Sequence, residues 1–185
     1  MPNFTKRAIK ESFWELLNEK QLNRISVKDI VERCGISRNS FYYHFQDIPA
    51  LIEEIVTDLF DNLIKQYPEV THIDQCFSTA VRFMLENKKV LLHIYNSVNR
   101  DIYERYLMQF CEYVVTSYLE TAFDIMLNEE DRKIIIRFFK CMLFGSYMDW
   151  ASSGMPESAI DEMMRLLTLL RETPQEILDK CRGEI

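Results

Sequence analysis

Two short helices, each with its own start and stop signal, follow one another without a linker in ISVKDIVERCGISRNSFYYHF, residues 25–45. In the first helix, Ser26 precedes an apolar periodic run and Asp29 stands three residues later, a spacing typical of a capping box. Gly35 then supplies the left-handed residue on which helices commonly end, and Ser37 is placed to cap the next helix. Two capped helices joined by a tight glycine turn predict a helix-turn-helix.

The second of these helices is apolar on one side only. Because an α-helix turns by about 100° per residue, Phe41 and Phe45 share a face and are expected to point into the core. Six hydrogen-bonding or aromatic residues occupy the opposite face and its flanks: Arg38, Asn39, Ser40, Tyr42, Tyr43 and His44. This density on one short helix indicates a recognition surface. The alternatives are packing for the two tyrosines, a surface ion pair for Arg38 and a structural hydrogen bond for His44.

Helical periodicity also dominates the rest of the chain. A first helix is predicted at 3–20, and Asp47 is placed to cap a longer one that ends near residue 66. Gly154 and Pro156 predict a turn, with the proline opening the following helix. The further predicted helices are 71–86, 88–98, 101–127, 130–152, 156–171 and a possible last turn at 174–182. The prediction is an all-α fold of about nine helices.

Composition narrows the class of protein. Only 4 Gly and 5 Pro among 185 residues favour long helices over many short strands. No apolar run approaches the roughly 18 residues of a membrane span, and the first residues lack a signal-peptide pattern, so a cytoplasmic protein is expected. The net charge is −7, yet residues 1–50 carry 8 Lys and Arg against 6 Asp and Glu. An acidic body with a mildly basic head permits nucleic-acid binding by the head.

Catalytic and metal-binding patterns are not found in the sequence. The five cysteines are widely spaced without a CxxC pair, which predicts reduced apolar residues and neither disulfides nor a zinc site. The three histidines do not stand at metal-ligand spacing, and neither a P-loop nor a GxSxG motif is present. We therefore expect no enzyme activity, no metal and no cofactor.

The segment ISVKDIVERCGISRNSFYYHFQDIPALIEEIV resembles the TetR family of bacterial transcriptional regulators. The resemblance covers about residues 5–55 and implies a three-helix DNA-binding head, residues 1–47, followed by a helical regulatory and dimerisation domain, residues 48–185. FYYHFQDIPAL and YMDWASSGMPES look most like the branch that regulates dihydroxyacetone kinase operons.

The resemblance also implies which residues touch DNA. Its candidates are two residues that open the second helix and six of the third: Ser26, Lys28, Arg38, Asn39, Ser40, Tyr42, Tyr43 and His44. The family commonly has a phosphate-contacting Lys where this chain has Ile48, so backbone N–H groups there and other side chains must replace it. Basic residues of the first helix are lower-ranked candidates for phosphate contact: Lys6, Arg7 and Lys10.

Aromatic and methionine side chains are frequent in the predicted regulatory domain. Most are expected in the core, but as a group they match the apolar lining of a small-molecule site with a few polar groups. The candidate ligand-binding residues are Phe83, His93, Tyr95, Asn96, Tyr106, Phe110, Tyr113 and Met148.

A dimer seam is expected between the helices at 130–152 and 156–171, packed as a four-helix bundle. Apolar stripes on these helices supply its candidates: Ile134, Phe138, Cys141, Met142, Gly145, Met163, Leu166, Leu167 and Leu170.

These observations predict a dimeric regulator that acts as a repressor, binds a palindromic operator in double-stranded DNA and responds to an unknown small ligand. The alternative is an activator controlled by a protein co-regulator. A closed cavity of several hundred Å³ would favour the small ligand. A filled core with an exposed apolar patch would favour the protein partner.

Overall fold

The computed structural model describes residues 2–66, 73–122 and 128–169. Within these ranges the chain contains nine α-helices, one 3₁₀ turn and no strand, which confirms the all-α prediction. The helices are α1 (Pro2–Glu19), α2 (Val27–Cys34), α3 (Arg38–His44), α4 (Ile48–Gln66), α5 (Ile73–Glu86), α6 (Lys88–Tyr95), α7 (Arg100–Ala122), α8 (Glu129–Ser152) and α9 (Ala159–Leu169), with the 3₁₀ turn at Leu22–Arg24 before α2. The predicted last turn at 174–182 lies outside the described residues.

The capping signals of the helix-turn-helix are formed as predicted. The Asp29 N–H donates to Ser26 Oγ at 3.3 Å, and the Ser26 N–H donates to Asp29 Oδ2 at 2.7 Å, so the capping box is complete. Gly35 ends α2 with φ of 68°, the left-handed conformation that costs glycine least. Ser37 caps α3 by accepting a hydrogen bond from the Ser40 N–H at 3.1 Å. Local side-chain chemistry therefore sets both ends of the turn.

The described residues divide into two compact units. The first contains residues 2–62 and 87–106, and the second contains the described residues of 63–86 and 107–169. In the first unit α6 packs against α1. This packing division differs in kind from the functional division after residue 47, which stays a prediction.

The core of the first unit is built on α1. Ile9, Phe13 and Leu17, spaced four residues apart, have no exposed surface. Ile30 of α2 and Phe41 of α3 are equally buried, and Phe45 is 3% exposed. Because α2 and α3 are each only two turns long, this shared burial supplies the stability that short helices lack in isolation.

The core of the second unit contains a cluster from α7 and α8. Val115, Leu119 and Ile135 are buried together, with Phe139 and Leu143 packed against them. The N-terminus of α8 is capped by Asn128, whose Oδ1 accepts a hydrogen bond from the Asp131 N–H at 2.8 Å.

Two predicted helix ends were wrong. α6 ends at Tyr95 and not at residue 98, because the Asn96 and Ser97 side chains donate to carbonyl groups of the last turn. α9 begins at Ala159 and not at Pro156. Gly154 and Met155 both have positive φ, and the Trp150 indole N–H donates to the Pro156 carbonyl at 3.0 Å, so the chain turns before it can become helical.

The capping carboxylate of α2 predicts acid sensitivity. Asp29 accepts hydrogen bonds from the Ser26 hydroxyl, the Lys20 ammonium and the Ser26 N–H, and these lower its pKa well below its ordinary value. A lowered carboxyl pKa gives stability that is present above the unfolded pKa of about 3.9 and is lost as pH falls through the folded pKa. We expect Asp29→Asn to be less stable than the wild type at pH 7 and to lose less stability below about pH 4.

Urea unfolding at a series of pH values measures this difference. Glu32→Gln is the matched control, since Glu32 is an exposed α2 carboxylate whose partner, Lys28, is 3.6 Å away. Identical pH curves for Asp29→Asn and the wild type would contradict the role assigned to Asp29.

Candidate nucleic-acid interface

The outer face of α3 is the most exposed concentration of aromatic and polar side chains in the helix-turn-helix. Tyr42 and Tyr43 are 55% and 79% exposed, whereas Phe41 and Phe45 on the inner face are buried. The Tyr43 and His44 rings meet edge to face with centroids 5.0 Å apart, which limits their freedom. The six predicted residues lie along this helix with Ser40 and His44 half-buried and the others exposed: Arg38, Asn39, Ser40, Tyr42, Tyr43 and His44.

The two candidates at the start of α2 are already engaged within the protein. Ser26 uses its hydroxyl proton toward Asp29 Oδ2, at 2.5 Å, so a contact from this hydroxyl to a phosphate would compete with the capping box. Lys28 is exposed and lies 3.6 Å from Glu32 in the next turn of the same helix. An exposed pair of this kind contributes little, so the Lys28 ammonium can exchange to a phosphate at small cost.

The start of α4 offers few hydrogen-bond donors to an anion. Ile48 is half-buried and uncharged, and Pro49 has no N–H. The Ala50 N–H is taken by Asp47 Oδ1 at 2.8 Å, which also places a carboxylate at this end. Few backbone N–H groups at the start of α4 are therefore available to bind a phosphate, although the sequence allowed for such a contact.

Basic residues of α1 are paired with carboxylates. Lys6 lies 2.5 Å from Glu54, and Lys10 contacts both Glu54 and Asp58 of α4. Burial alone would lower the pKa of Lys10, but its bonds to Asp58 and Glu54 outweigh burial and raise it. These ammonium groups therefore join α1 to α4.

The opposite flank of α4 is joined to the start of α7. Glu53 accepts from the Arg105 guanidinium at 3.1 Å and from the Tyr106 hydroxyl at 3.3 Å. Tyr106, a predicted ligand-binding residue, is thereby placed at a polar contact of the first unit.

Three further predicted ligand-binding residues also lie in the first unit. His93 Nδ1 is 2.8 Å from the Leu17 carbonyl oxygen of α1, and the buried Tyr95 ring stacks under the Arg100 guanidinium at 4.1 Å. Asn96 donates to the Leu92 carbonyl. His93 and Asn96 also line an open groove of about 470 Å³, together with Gln21, Leu22, Asn23, Ile25, Ile48, Pro49, Ser97, Val98 and Asn99.

An apolar cavity of about 120 Å³ lies within the second unit. Its lining comes from α5, α7, α8 and α9: Phe77, Ala80, Val81, Met84, Leu107, Phe110, Cys111, Val114, Met142, Leu143, Ser146, Tyr147, Trp150, Met163 and Leu166. Of the predicted ligand-binding residues Phe110 is in this lining, whereas Phe83, Tyr113 and Met148 are half-buried outside it.

The cavity wall is chemically inert. The Ser146 hydroxyl donates to the Met142 carbonyl at 2.9 Å, and the Trp150 N–H is used at Pro156. Burial raises the pKa of the Cys111 thiol to about 12, which keeps it protonated. Such a wall suits apolar contact and supplies no nucleophile.

Sequence reasoning missed the small and aliphatic part of the lining. On α5, Phe77, Ala80, Val81 and Met84 recur at i, i+3, i+4 and i+7 and mark one helix face. That periodicity indicates a buried face, but it cannot tell a filled core from a void, because the difference depends on how four helices meet.

The residues predicted for the dimer seam separate into two groups. Four on α8 form an exposed stripe at i, i+4, i+7 and i+11, namely Ile134, Phe138, Cys141 and Gly145. Ile134 and Phe138 are 60% and 59% exposed. The remaining described ones, Met142, Met163 and Leu166, line the cavity, while Leu167 and Leu170 lie outside the described side chains.

Other kinds of site are not found in the part of the chain that the structure describes. There, no three His, Cys, Asp or Glu residues group in a way that could hold a metal ion. None of the helices described is both long and apolar enough to cross a membrane.

Comparison with solved structures identifies the architecture. The dihydroxyacetone kinase operon activator DhaS superimposes with a TM-score of 0.73 at 20% sequence identity, over 89% of this chain and 94% of that one. The match shows the fold alone, an all-α architecture in which α2 and α3 form a helix-turn-helix.

Comparison with protein families identifies the group. The model for bacterial regulatory proteins of the tetR family matches residues 13–55, and a model for a transcriptional regulator C-terminal region matches residues 71–173, more than half of the chain. The chain belongs to the TetR family of DNA-binding transcriptional regulators, as its sequence predicted.

Curated relatives match over shorter segments. The HTH-type transcriptional regulators YxbF and YvdT of Bacillus subtilis (strain 168) are 29% and 31% identical over 40% and 39% of this chain. The HTH-type transcriptional repressor KstR2 of Rhodococcus jostii (strain RHA1) is 33% identical over 30% of it. The matches span 20%, 37% and 27% of the lengths of these three relatives.

Proposed function

We propose that the chain acts as a homodimer that reads a palindromic operator with α3 of each protomer. The observation that carries this proposal is the division of α3 into a buried face, Phe41 and Phe45, and an exposed face with Tyr43 at its centre. The buried face fixes the helix, so the exposed side chains are held in place before DNA arrives. Preorganisation of this kind reduces the entropy lost on binding.

The proposed roles follow from side-chain chemistry. Arg38 can donate two hydrogen bonds to guanine O6 and N7, and Asn39 can pair with adenine N6 and N7. Tyr42 and Tyr43 supply hydroxyl groups for phosphates and rings for sugar or thymine methyl contact. Ser40, His44, Ser26 and Lys28 complete the proposed surface.

The dimer seam is proposed on α8 and α9. Ile134 and Phe138 expose apolar surface that a partner helix would remove from water, and Gly145 lets a helix approach closely. A two-fold dimer places two recognition helices about 34 Å apart, one turn of B-DNA. The functional division proposed with it is residues 1–47 for DNA and residues 48–185 for dimerisation and control, in the bacterial cytoplasm and without a catalytic reaction.

Control by a small apolar effector is proposed at the cavity of the second unit, with repression as the default state. The volume of about 120 Å³ is below the 300–1,000 Å³ of common ligand sites. An apolar cavity of about 150 Å³ nevertheless accommodates benzene, so the effector would be a compact apolar molecule. Its binding would shift a two-state equilibrium of the dimer toward the form that releases DNA.

A second candidate is control by a protein co-regulator in an activator of the type named by its structural relative DhaS. The small size of the cavity and the exposed apolar stripe on α8 favour this alternative.

The DNA-reading face can be removed without touching the core. We expect Asn39→Ala combined with Tyr43→Ala to abolish binding to a duplex enriched from a random-sequence pool on the wild-type chain, because both side chains belong to the proposed DNA-reading face. The fold should be kept, since both are exposed and lie outside the buried core. A gel-shift titration measures the loss, and circular dichroism checks the fold. Asn18→Ala, an exposed amide on α1, is the control. Unchanged binding by the double variant would refute the assignment of α3.

The proposed seam can be tested by placing a charge on it. We expect the wild type to run at twice its chain mass of 22.1 kDa and Phe138→Lys to run as a monomer, because an ammonium buried without a partner costs several kcal/mol, roughly. Light scattering after size exclusion at micromolar concentration measures both. Phe4→Lys, the same change at an 80% exposed residue of α1, should stay dimeric. A monomeric wild type would count against the seam.

The cavity separates the two modes of control. We expect benzene or indole to raise the melting temperature of the wild type but not that of Ala80→Phe, whose ring would fill the space. Thermal unfolding with and without each compound measures the shift. If neither compound stabilises the wild type, control by a protein partner becomes the better account.

A further inference from the structure

The basic residues of the head mostly lie beside carboxylates of the protein itself. Residues 1–50 contain eight Lys and Arg. Six of them pair with carboxylates: Lys6 with Glu54, Arg7 with Glu11, Lys10 with Glu54 and Asp58, Lys20 with Asp29, Lys28 with Glu32, and Arg33 with Glu15 and Glu19. Arg24 and Arg38 have no carboxylate partner among the residues that the structure describes, 2–66, 73–122 and 128–169.

The position of Arg38 already explains why it has no carboxylate partner. It is the first residue of α3 and belongs to the proposed base-reading face. Arg24 is different, because it lies outside both helices of the helix-turn-helix and was not among the residues that the sequence singled out. It ends the 3₁₀ turn and stands two residues before Ser26, the N-cap of α2.

The surroundings of Arg24 leave its guanidinium exposed to solvent and unpaired. Its N–H donates to the Gln21 carbonyl at 2.9 Å, which fixes the backbone, while its side chain is exposed. On either side Leu22 and Ile25 are buried and anchor the turn. A charged side chain on an anchored backbone is held near one location without any partner that it would have to give up.

Apart from Lys28, the end of the head that holds Arg24 is poor in other donors for a phosphate. At the start of α2, Asp29 takes the N–H and the hydroxyl proton of Ser26. Ile48 and Pro49 at the start of α4 line one groove with Asn23 and Ile25, the chain neighbours of Arg24, and neither carries a charge. In a helix-turn-helix the first helix crosses the DNA backbone, so the turn leading into α2 lies at that crossing.

We propose that Arg24 is a phosphate contact that anchors each head to the DNA backbone at the start of α2. The inference rests on the proposed operator binding and adds to it a residue that holds the protein on DNA without reading sequence. Each protomer would contribute one such contact, so a dimer would make two.

Salt dependence gives the measurement. Each phosphate contact contributes about 0.9 to the slope of log binding constant against log salt concentration, so Arg24→Ala should lower the magnitude of that slope by about 1.8 for a dimer. The probe is a duplex enriched from a random-sequence pool on the full wild-type chain, titrated by fluorescence anisotropy between 50 and 300 mM KCl, roughly. Arg24→Lys keeps the charge and should keep the wild-type slope.

The matched control is Arg33→Ala. It removes the same charge from the same head, but Arg33 donates to both carboxylate oxygens of Glu19 at 2.6 Å and its side chain is only 29% exposed, so its slope should equal that of the wild type. Arg24→Ala should also preserve the rank order of affinities among duplexes with single base-pair changes. A melting temperature equal to that of the wild type would show that the loss is not one of folding.

Three results would overturn the proposal. They are an unchanged slope in Arg24→Ala, an equal loss of slope in Arg33→Ala, and a changed rank order of duplexes, which would assign Arg24 to base reading. Failure of the wild type to enrich any duplex would instead overturn operator binding itself, and is thereby distinguished from failure at Arg24 alone.

Discussion

Burial of Phe41 and Phe45 is the interaction on which the proposed DNA-reading surface depends. A seven-residue helix such as α3 is unstable in water on its own. Packing against the core therefore determines the orientation of this helix. The two rings occupy one face and contact each other with centroids 5.9 Å apart, and the opposite side of the helix is left exposed at Asn39 and Tyr43. Exposure of Tyr43 is thus a consequence of packing on the opposite side of the helix.

The head is proposed to bind DNA, an anionic polymer, although the whole chain carries a charge of −7. Intramolecular ion pairs divide the Lys and Arg residues of the head into two groups, those that pair with a carboxylate of the protein and those that do not. Lys6 and Lys10 of α1 stabilise the head by meeting carboxylates of α4, while Arg24 and Arg38 have no carboxylate partner in the described residues. The number of basic residues in a sequence therefore overstates the positive charge that such a protein can present to DNA. The charge available to DNA depends on how many of these residues pair with carboxylates of the protein.

Local signals made the head predictable, whereas the second unit depended on contacts distant in sequence. Each of Ser26, Asp29, Gly35 and Ser37 interacts with a residue no more than four positions away, so their roles could be read from spacing. The predicted start of α9 was wrong because the Trp150 indole N–H donates to the Pro156 carbonyl, six residues further along the chain. Met142 and Leu166 share helical stripes with exposed residues, and only the packing of four helices shows that they border a cavity.

The two flanks of α4 are held with unequal strength. On the α1 side, Lys10 is 21% exposed and bridges two carboxylates, whereas on the α7 side Arg105 and Glu53 are each about half exposed. An exposed pair contributes about 0.2–1 kcal/mol, and a partly buried one contributes more because water screens it less. Of the ion pairs that α4 makes, the one with α7 at Glu53 therefore costs least to break. The buried rings of Phe60 on α4 and Tyr103 on α7, with centroids 5.9 Å apart, hold these two helices together where the ion pair contributes little.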